Sequence, residues 1–132
     1  MIYDTNYIIH HIRRDLPLDN RLIIPIVVVG ELEAFALKAD WGYQKLTRLQ
    51  QILDSYPIAD IDRDLTRVYA QVDAYSQNKL KSLLLPEGLT ARNMGKNDLW
   101  IAATALYLDM KLHTSDNDFD HLLTFGLQLI KK

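Results

Sequence analysis

Cysteine is absent from this chain. That excludes disulfides and thiolate metal sites, and it fits a cytoplasmic protein. Long apolar runs are missing too, none approaching the roughly 20 residues that span a bilayer, so no membrane partner is expected. The opening Met1-Ile2-Tyr3-Asp4 has neither the basic stretch nor the apolar core of a secretory signal, and it reads as a first strand. A positive excess is also lacking: 15 Lys and Arg stand against 17 Asp and Glu, a net charge of −2. Nucleic-acid binders usually carry a basic excess, because neutralising phosphates supplies much of their affinity. Either nucleic acid is not the partner, or acids gathered in one pocket mask basic residues elsewhere. With no repeat, low-complexity tract or linker, the 132 residues are read as one domain, 1–132, large enough to bury a core.

What is present is an alternation of strand and helix signals. After the strand at Ile2-Tyr3, Ile8, Ile9 and Ile12 recur at helical spacing. Leu22 to Ile24 reads as a buried strand stopped by Pro25. Val27 to Lys38 reads as a helix, and Leu46, Leu49, Leu53 and Tyr56 mark one face of the next. Ile58 to Ile61 reads as a strand, Leu65 to Tyr75 as a helix, and Pro86 to Lys96 as the one long loop. Asp98 to Met110 is expected as a helix, Lys111 to Thr114 as a strand, Asp118 to Phe125 as a short helix and Leu127 to Ile130 as a last strand. Alternating strands and helices imply right-handed crossovers and helices on both faces of the sheet. The expected fold is therefore three-layer α/β/α around a mostly parallel sheet. In such sheets ligands bind outside the carboxyl ends of the strands.

Acids fall at that edge. Asp4 follows the first strand, Asp116 follows the strand ending at Thr114, and Asp98 opens the preceding helix. Each also has a plain reading as a helix cap, since Asp and Asn side chains accept the unpaired N–H groups of a first turn. Asn97 could cap in place of Asp98, leaving Asp98 to favour the helix dipole. Glu31 and Glu33 both sit among apolar neighbours at helical spacing, and carboxylates are rarely buried alone. Periodicity does not say which of the two turns inward.

Four segments then carry a resemblance. Ile2-Tyr3-Asp4-Thr5-Asn6 resembles the opening signature of PIN domains, although Tyr3 stands where a smaller or aliphatic residue is more usual. Gly30-Glu31-Leu32 is similar to the second motif, Asn97-Asp98-Leu99-Trp100-Ile101-Ala102-Ala103 to the third, and Thr114-Ser115-Asp116-Asn117-Asp118-Phe119 to the fourth. On these motifs, in order along nearly the whole chain, the sequence resembles VapC-type toxin ribonucleases of the PIN family. The resemblance implies a metal site formed by Asp4, Glu31, Asp98 and Asp116. It gives supporting roles to Asp118, to Asn6 and to Thr114 or Ser115. It further implies an endoribonuclease, a homodimer and a small antitoxin partner. Arg92 and Lys96 are placed to touch RNA phosphates beside the third motif.

Carboxylates at these positions suit the chemistry. Phosphodiester hydrolysis needs charge stabilisation on phosphoryl oxygens and an activated water, which Mg²⁺ or Mn²⁺ supplies from oxygen ligands. Zinc is disfavoured, because His10, His11, His113 and His121 lack ligand spacing. Two other functions compete. A receiver-type phosphoacceptor domain would use Asp60 or Asp62, but its first strand needs an acidic pair and only Asp4 is there. A catalytically silent PIN fold, binding RNA or protein, sits poorly with acids at all four positions.

Overall fold

The computed structural model describes residues 1–131. Its elements are β1 (Ile2–Tyr3), α1 (Thr5–Arg13), β2 (Ile24–Pro25), α2 (Ile26–Lys38), α3 (Tyr43–Ser55), β3 (Ile58–Ala59), α4 (Arg63–Ser76), α5 (Lys96–Tyr107), β4 (Leu112–Thr114), a 3-10 helix (Asn117–Phe125) and β5 (Leu129–Lys131). Every strand pairing among the described residues is parallel: β1 with β4, β4 with β5, and β2 with β3. The Ile23 N–H donates to the Met1 carbonyl at 2.9 Å, which lays β2 beside β1. Spatially the order is therefore β3, β2, β1, β4, β5. The chain winds outward from β1 through β2 to β3, then returns to β4 on the other side. Right-handed crossovers place α1 to α3 over one face and α4, α5 and the 3-10 helix over the other. This is the three-layer α/β/α fold. Strand order reverses between β1 and β4, and open parallel sheets bind ligands at such a switch point.

The core explains the strands' sequence. Ile2, Ile24 and Leu112 are fully enclosed, together with Ile8, Val28, Leu32, Ile101 and Phe119 from the helices. Tyr3 is also buried, edge-on to Tyr7 and tilted against His11 and His113. Its bulk fills the space that a smaller residue would leave.

Several boundaries differ from the sequence reading, each for a local reason. Pro25 is the last residue of β2 and the residue before α2, because its extended backbone (φ −59°, ψ 143°) ends a strand without needing an N–H. Leu22 and Ile23 fall outside the strand, as do Asp60 and Ile61 after β3. The last strand starts two residues later than expected, because the Leu127 N–H closes the 3-10 helix on the Leu122 carbonyl. Helix α5 begins at Lys96, two residues before Asp98, since the Leu99 N–H reaches the Gly95 carbonyl at 3.0 Å.

Helix α5 also stops at Tyr107 rather than Met110, and its ending recurs through the molecule. Asp15, Asp40, Asn78 and Asp109 each follow a helix with φ between 51° and 59°, and Gly126 follows the 3-10 helix at φ 110°. Behind each, the next N–H bonds back to the last turn: Leu16 to His11, Trp41 to Ala36, Lys79 to Ala74, Met110 to Ala105 and Leu127 to Leu122. These are Schellman closures, and in four of the five Asp or Asn stands where glycine is commonest. Asp40→Gly is accordingly expected to raise stability by about 0.5–1 kcal/mol, since glycine adopts the left-handed region at no steric cost. Thermal melting beside the wild type checks this.

Candidate functional site

Asp4 leaves β1 at the switch point and turns the chain into α1. One carboxylate oxygen accepts the Tyr7 N–H at 2.9 Å, so Asp4 is a helix cap. Its other oxygen accepts the hydroxyl of Thr114, the last residue of the adjoining β4. That hydroxyl in turn accepts the Asp116 N–H at 2.9 Å. Thr114 thus joins two acids from opposite ends of the sequence. Asp4 is only 7% exposed. Burial pushes its carboxyl above the usual range, against the two hydrogen bonds, with Asp116 and Glu31 adding like-charge repulsion.

Asp116 caps the 3-10 helix by accepting the Asp118 N–H at 2.9 Å. Lys131 on β5 fastens the same turn, reaching the Asp116 carbonyl and the Asp120 carboxylate at 2.8 Å and the Asn117 side chain at 2.9 Å. Glu31 comes from α2, where it is half-buried while Glu33 is exposed. It accepts the Thr5 hydroxyl at 2.6 Å. The inward-turned acid is therefore Glu31.

Asp98 behaves differently. It stands in the first turn of α5, behind Gly95 at the cap position, and neither Asn97 nor Asp98 supplies a capping bond. The capping explanation of this residue falls away, leaving the helix dipole as the local reason for an acid in this turn. Burial raises its carboxyl to about 6, followed by repulsion from Asp116, Glu31, Asp118 and Asp4 in that order. Four carboxylates are close enough to oppose its ionisation.

All four acids expected from sequence line one cleft of about 510 Å³, together with Thr5, Asn6, Phe35 and Lys38. Among the described residues a different trio also converges: Asp98, Asp116 and Asp118 each offer an oxygen, all within 4.8 Å of one another. Asp118 is exposed and paired with Arg92 at 3.2 Å. Arg92 and Lys96 line smaller recesses outside the cleft, Arg92 with Asp118 and Lys96 with Glu31 and Asp98, and Lys96 is the first residue of α5 rather than part of the loop. Ser115 points to solvent, so Thr114 is the hydroxyl turned inward. Asp60 and Asp62 lie off the cleft. Asp62 caps α4 through the Leu65 N–H at 2.8 Å, and β3, which Asp60 follows, is the outer strand. A phosphoacceptor ending a middle strand has no counterpart there.

Sequence reasoning missed Thr5 and Lys131. Thr5 carried a signal, lying between two residues already singled out. Lys131 carried none, because a terminal Lys-Lys reads as solvated charge.

The donor set suits a hard divalent cation, for it consists of carboxylate oxygens whose charges repel one another until a cation joins them. Among the described residues no helix is long and apolar enough to cross a membrane.

With this geometry in view, likenesses to other proteins take on meaning. The PIN domain family model matches residues 1–122. No curated protein matches the chain. VapBC2 from Rickettsia felis, solved bound to a DNA fragment from its promoter, is 22% identical with a TM-score of 0.72, covering 100% of this chain and 99% of that one. VapBC-1 from nontypeable Haemophilus influenzae is 27% identical with a TM-score of 0.67, covering 99% and 98%. VapBC-5 from Mycobacterium tuberculosis, a member of the VapBC family of toxin–antitoxin systems, is 22% identical with a TM-score of 0.67, covering 99% and 97%. The chain belongs to the PIN-domain family.

Proposed function

We propose that this PIN domain is a divalent-metal-dependent endoribonuclease and the toxin of a toxin–antitoxin pair. The observation that carries the proposal is the convergence of Asp4, Glu31, Asp98 and Asp116 on one cleft at the switch point. Asp98, which caps nothing, bears most directly on it. A structural role would not gather like charges this closely, because each added carboxylate makes the others harder to ionise.

In this reading Asp4, Asp98 and Asp116 hold Mg²⁺ or Mn²⁺, directly or through water. Bound there, the cation supplies charge stabilisation for the phosphoryl oxygens and lowers the pKa of water. Glu31, fixed by Thr5, is a further ligand or orients the attacking water. Asp118 supports the site and holds Arg92 just outside the cleft, where Arg92 and Lys96 meet backbone phosphates. Asn6 lines the cleft beside Asp4 and orients the acids or the water. Thr114 holds Asp4 and Asp116 in register.

The homodimer and the small antitoxin partner belong to the same proposal, supported by structural relatives that are themselves VapBC complexes. Light scattering of the chain alone and with a co-expressed partner reads both. A cytoplasmic setting accords with the absence of cysteine. RNA cleavage that requires Mg²⁺ or Mn²⁺ and stops in chelator is the test of the central activity.

A further inference from the structure

Basic residues gather around a second cavity, outside the acid cleft. It holds about 460 Å³ between the end of α1 and the start of α3, and Arg13, Lys45 and Arg48 line it with Thr47, Gln51 and Asp15. Asp15 is its sole acid. Among the described residues, none of the three cations takes part in an ion pair. Arg48 is half-buried, its Nε has no hydrogen-bond partner among the described residues, and its terminal nitrogen reaches only the Leu16 carbonyl at 3.5 Å. A buried guanidinium donor left in this state calls for an acceptor. Helix α3 also starts here behind Gly42, which offers no side-chain cap. The free N–H groups of such a first turn favour an anion.

This cavity neighbours the acid cleft across one side-chain contact. Arg13 lies over the Phe35 ring, 4.9 Å from its centroid, and Phe35 and Lys38 line the cleft. Along α1 from Asp4 to Arg13 the distance is roughly 13 Å, which a few nucleotides of single strand can cover.

We propose that the Arg13–Lys45–Arg48 cavity is a phosphate-binding subsite for single-stranded RNA, gripping the backbone a few nucleotides from the bond that the acid cleft cuts. It rests on the nuclease reading and extends it to the path of the substrate. It also accounts for the net charge of −2: acids clustered at one site mask a basic surface beside it.

The test measures binding of a labelled twelve-nucleotide RNA with Mn²⁺ present, in an Asp98→Asn background that slows cleavage. Adding Lys45→Ala and Arg48→Ala is expected to weaken binding at least tenfold. It should also flatten the dependence of log affinity on log salt by about 1.4, roughly 0.7 for each lost phosphate contact. A dinucleotide, whose single phosphate cannot occupy both sites, should compete at the acid cleft equally well in both proteins. Lys45→Ala alone, at an exposed position, should give about half the change in slope without disturbing the fold. Unchanged affinity and slope for the longer RNA would overturn the proposal, as would an equal loss for the dinucleotide. Failure of the wild type to cleave RNA would sink the nuclease reading instead, while this binding measurement still decides the subsite.

Discussion

Asp98→Asn should cut RNA cleavage by about two orders of magnitude or more while leaving the metal-free protein as stable as before, or more so. The two effects have separate causes. Cleavage falls because a charge that serves the transition state is lost, an effect of ~3 kcal/mol. Stability holds or rises because one of several mutually repelling carboxylates has gone. The sign follows from titration. Asp98 is raised to about 6 in the fold from an ordinary value of 3.8, so the folded state binds the extra proton between those values. Its contribution is therefore fully favourable below about pH 4 and lost as the pH climbs through about 6. At pH 7 the asparagine variant escapes that loss, which amounts to roughly 1–2 kcal/mol once solvent screening of a partly exposed group is allowed for. In chelator, the wild type should lose stability relative to the variant from pH 4 to 6. A buried ion pair would behave in the opposite way, losing about 3–5 kcal/mol on removal of one partner. Melting curves across that range, beside cleavage with Mn²⁺, separate these readings.

Thr114→Val should move stability the other way. The hydroxyl donates to the buried Asp4 carboxylate and accepts from the Asp116 N–H, so valine strands both partners. Asp4 would lose one of the two bonds that hold its carboxyl down, and its pKa would rise further. The expected cost is about 2–3 kcal/mol, the scale of a bond to a charged group plus an unpaired buried polar group. Cleavage should fall as well, because Asp4 and Asp116 are no longer held together. Unaltered melting in Thr114→Val would show that the hydroxyl does not join the two acids. One substitution in the site is thus expected to stabilise the metal-free protein and a neighbouring one to destabilise it, although both impair cleavage.

Much of this site was legible because its acids sit at the ends of elements whose periods are plain. Asp4 follows Ile2-Tyr3 and Asp116 follows Leu112–Thr114, so the carboxyl edge of a parallel sheet brought them together. Capping and a place at the cleft were competing readings, yet Asp4 and Asp116 both cap and line the cleft. A carboxylate has enough lone pairs to accept an N–H and still face a cleft. Asp98 was separable only in three dimensions, since its role as a non-cap depends on α5 starting at Lys96. Glu31 and Glu33 could not be told apart from periodicity because α2 is apolar almost all round, and the packing of Val28, Val29, Leu32 and Ala36 sets the inward face. The end of α2 at Lys38 was legible, but α5 was carried on to Met110 because its stop is Asp109 in the left-handed region, where glycine is the commoner signal. The pinning of the Asp116 turn by Lys131 lay beyond reach, since it depends on parallel pairing of β4 with β5.

Cleavage of a labelled single-stranded RNA by the wild-type protein, with Mn²⁺ and then with excess chelator, decides whether the carboxylate cleft is a metal-dependent nuclease site. Endonucleolytic fragments are expected with Mn²⁺ or Mg²⁺, none in chelator, and their return when the cation is restored. Activity that persists unchanged in excess chelator, or no cleavage of any RNA with either cation, would contradict it.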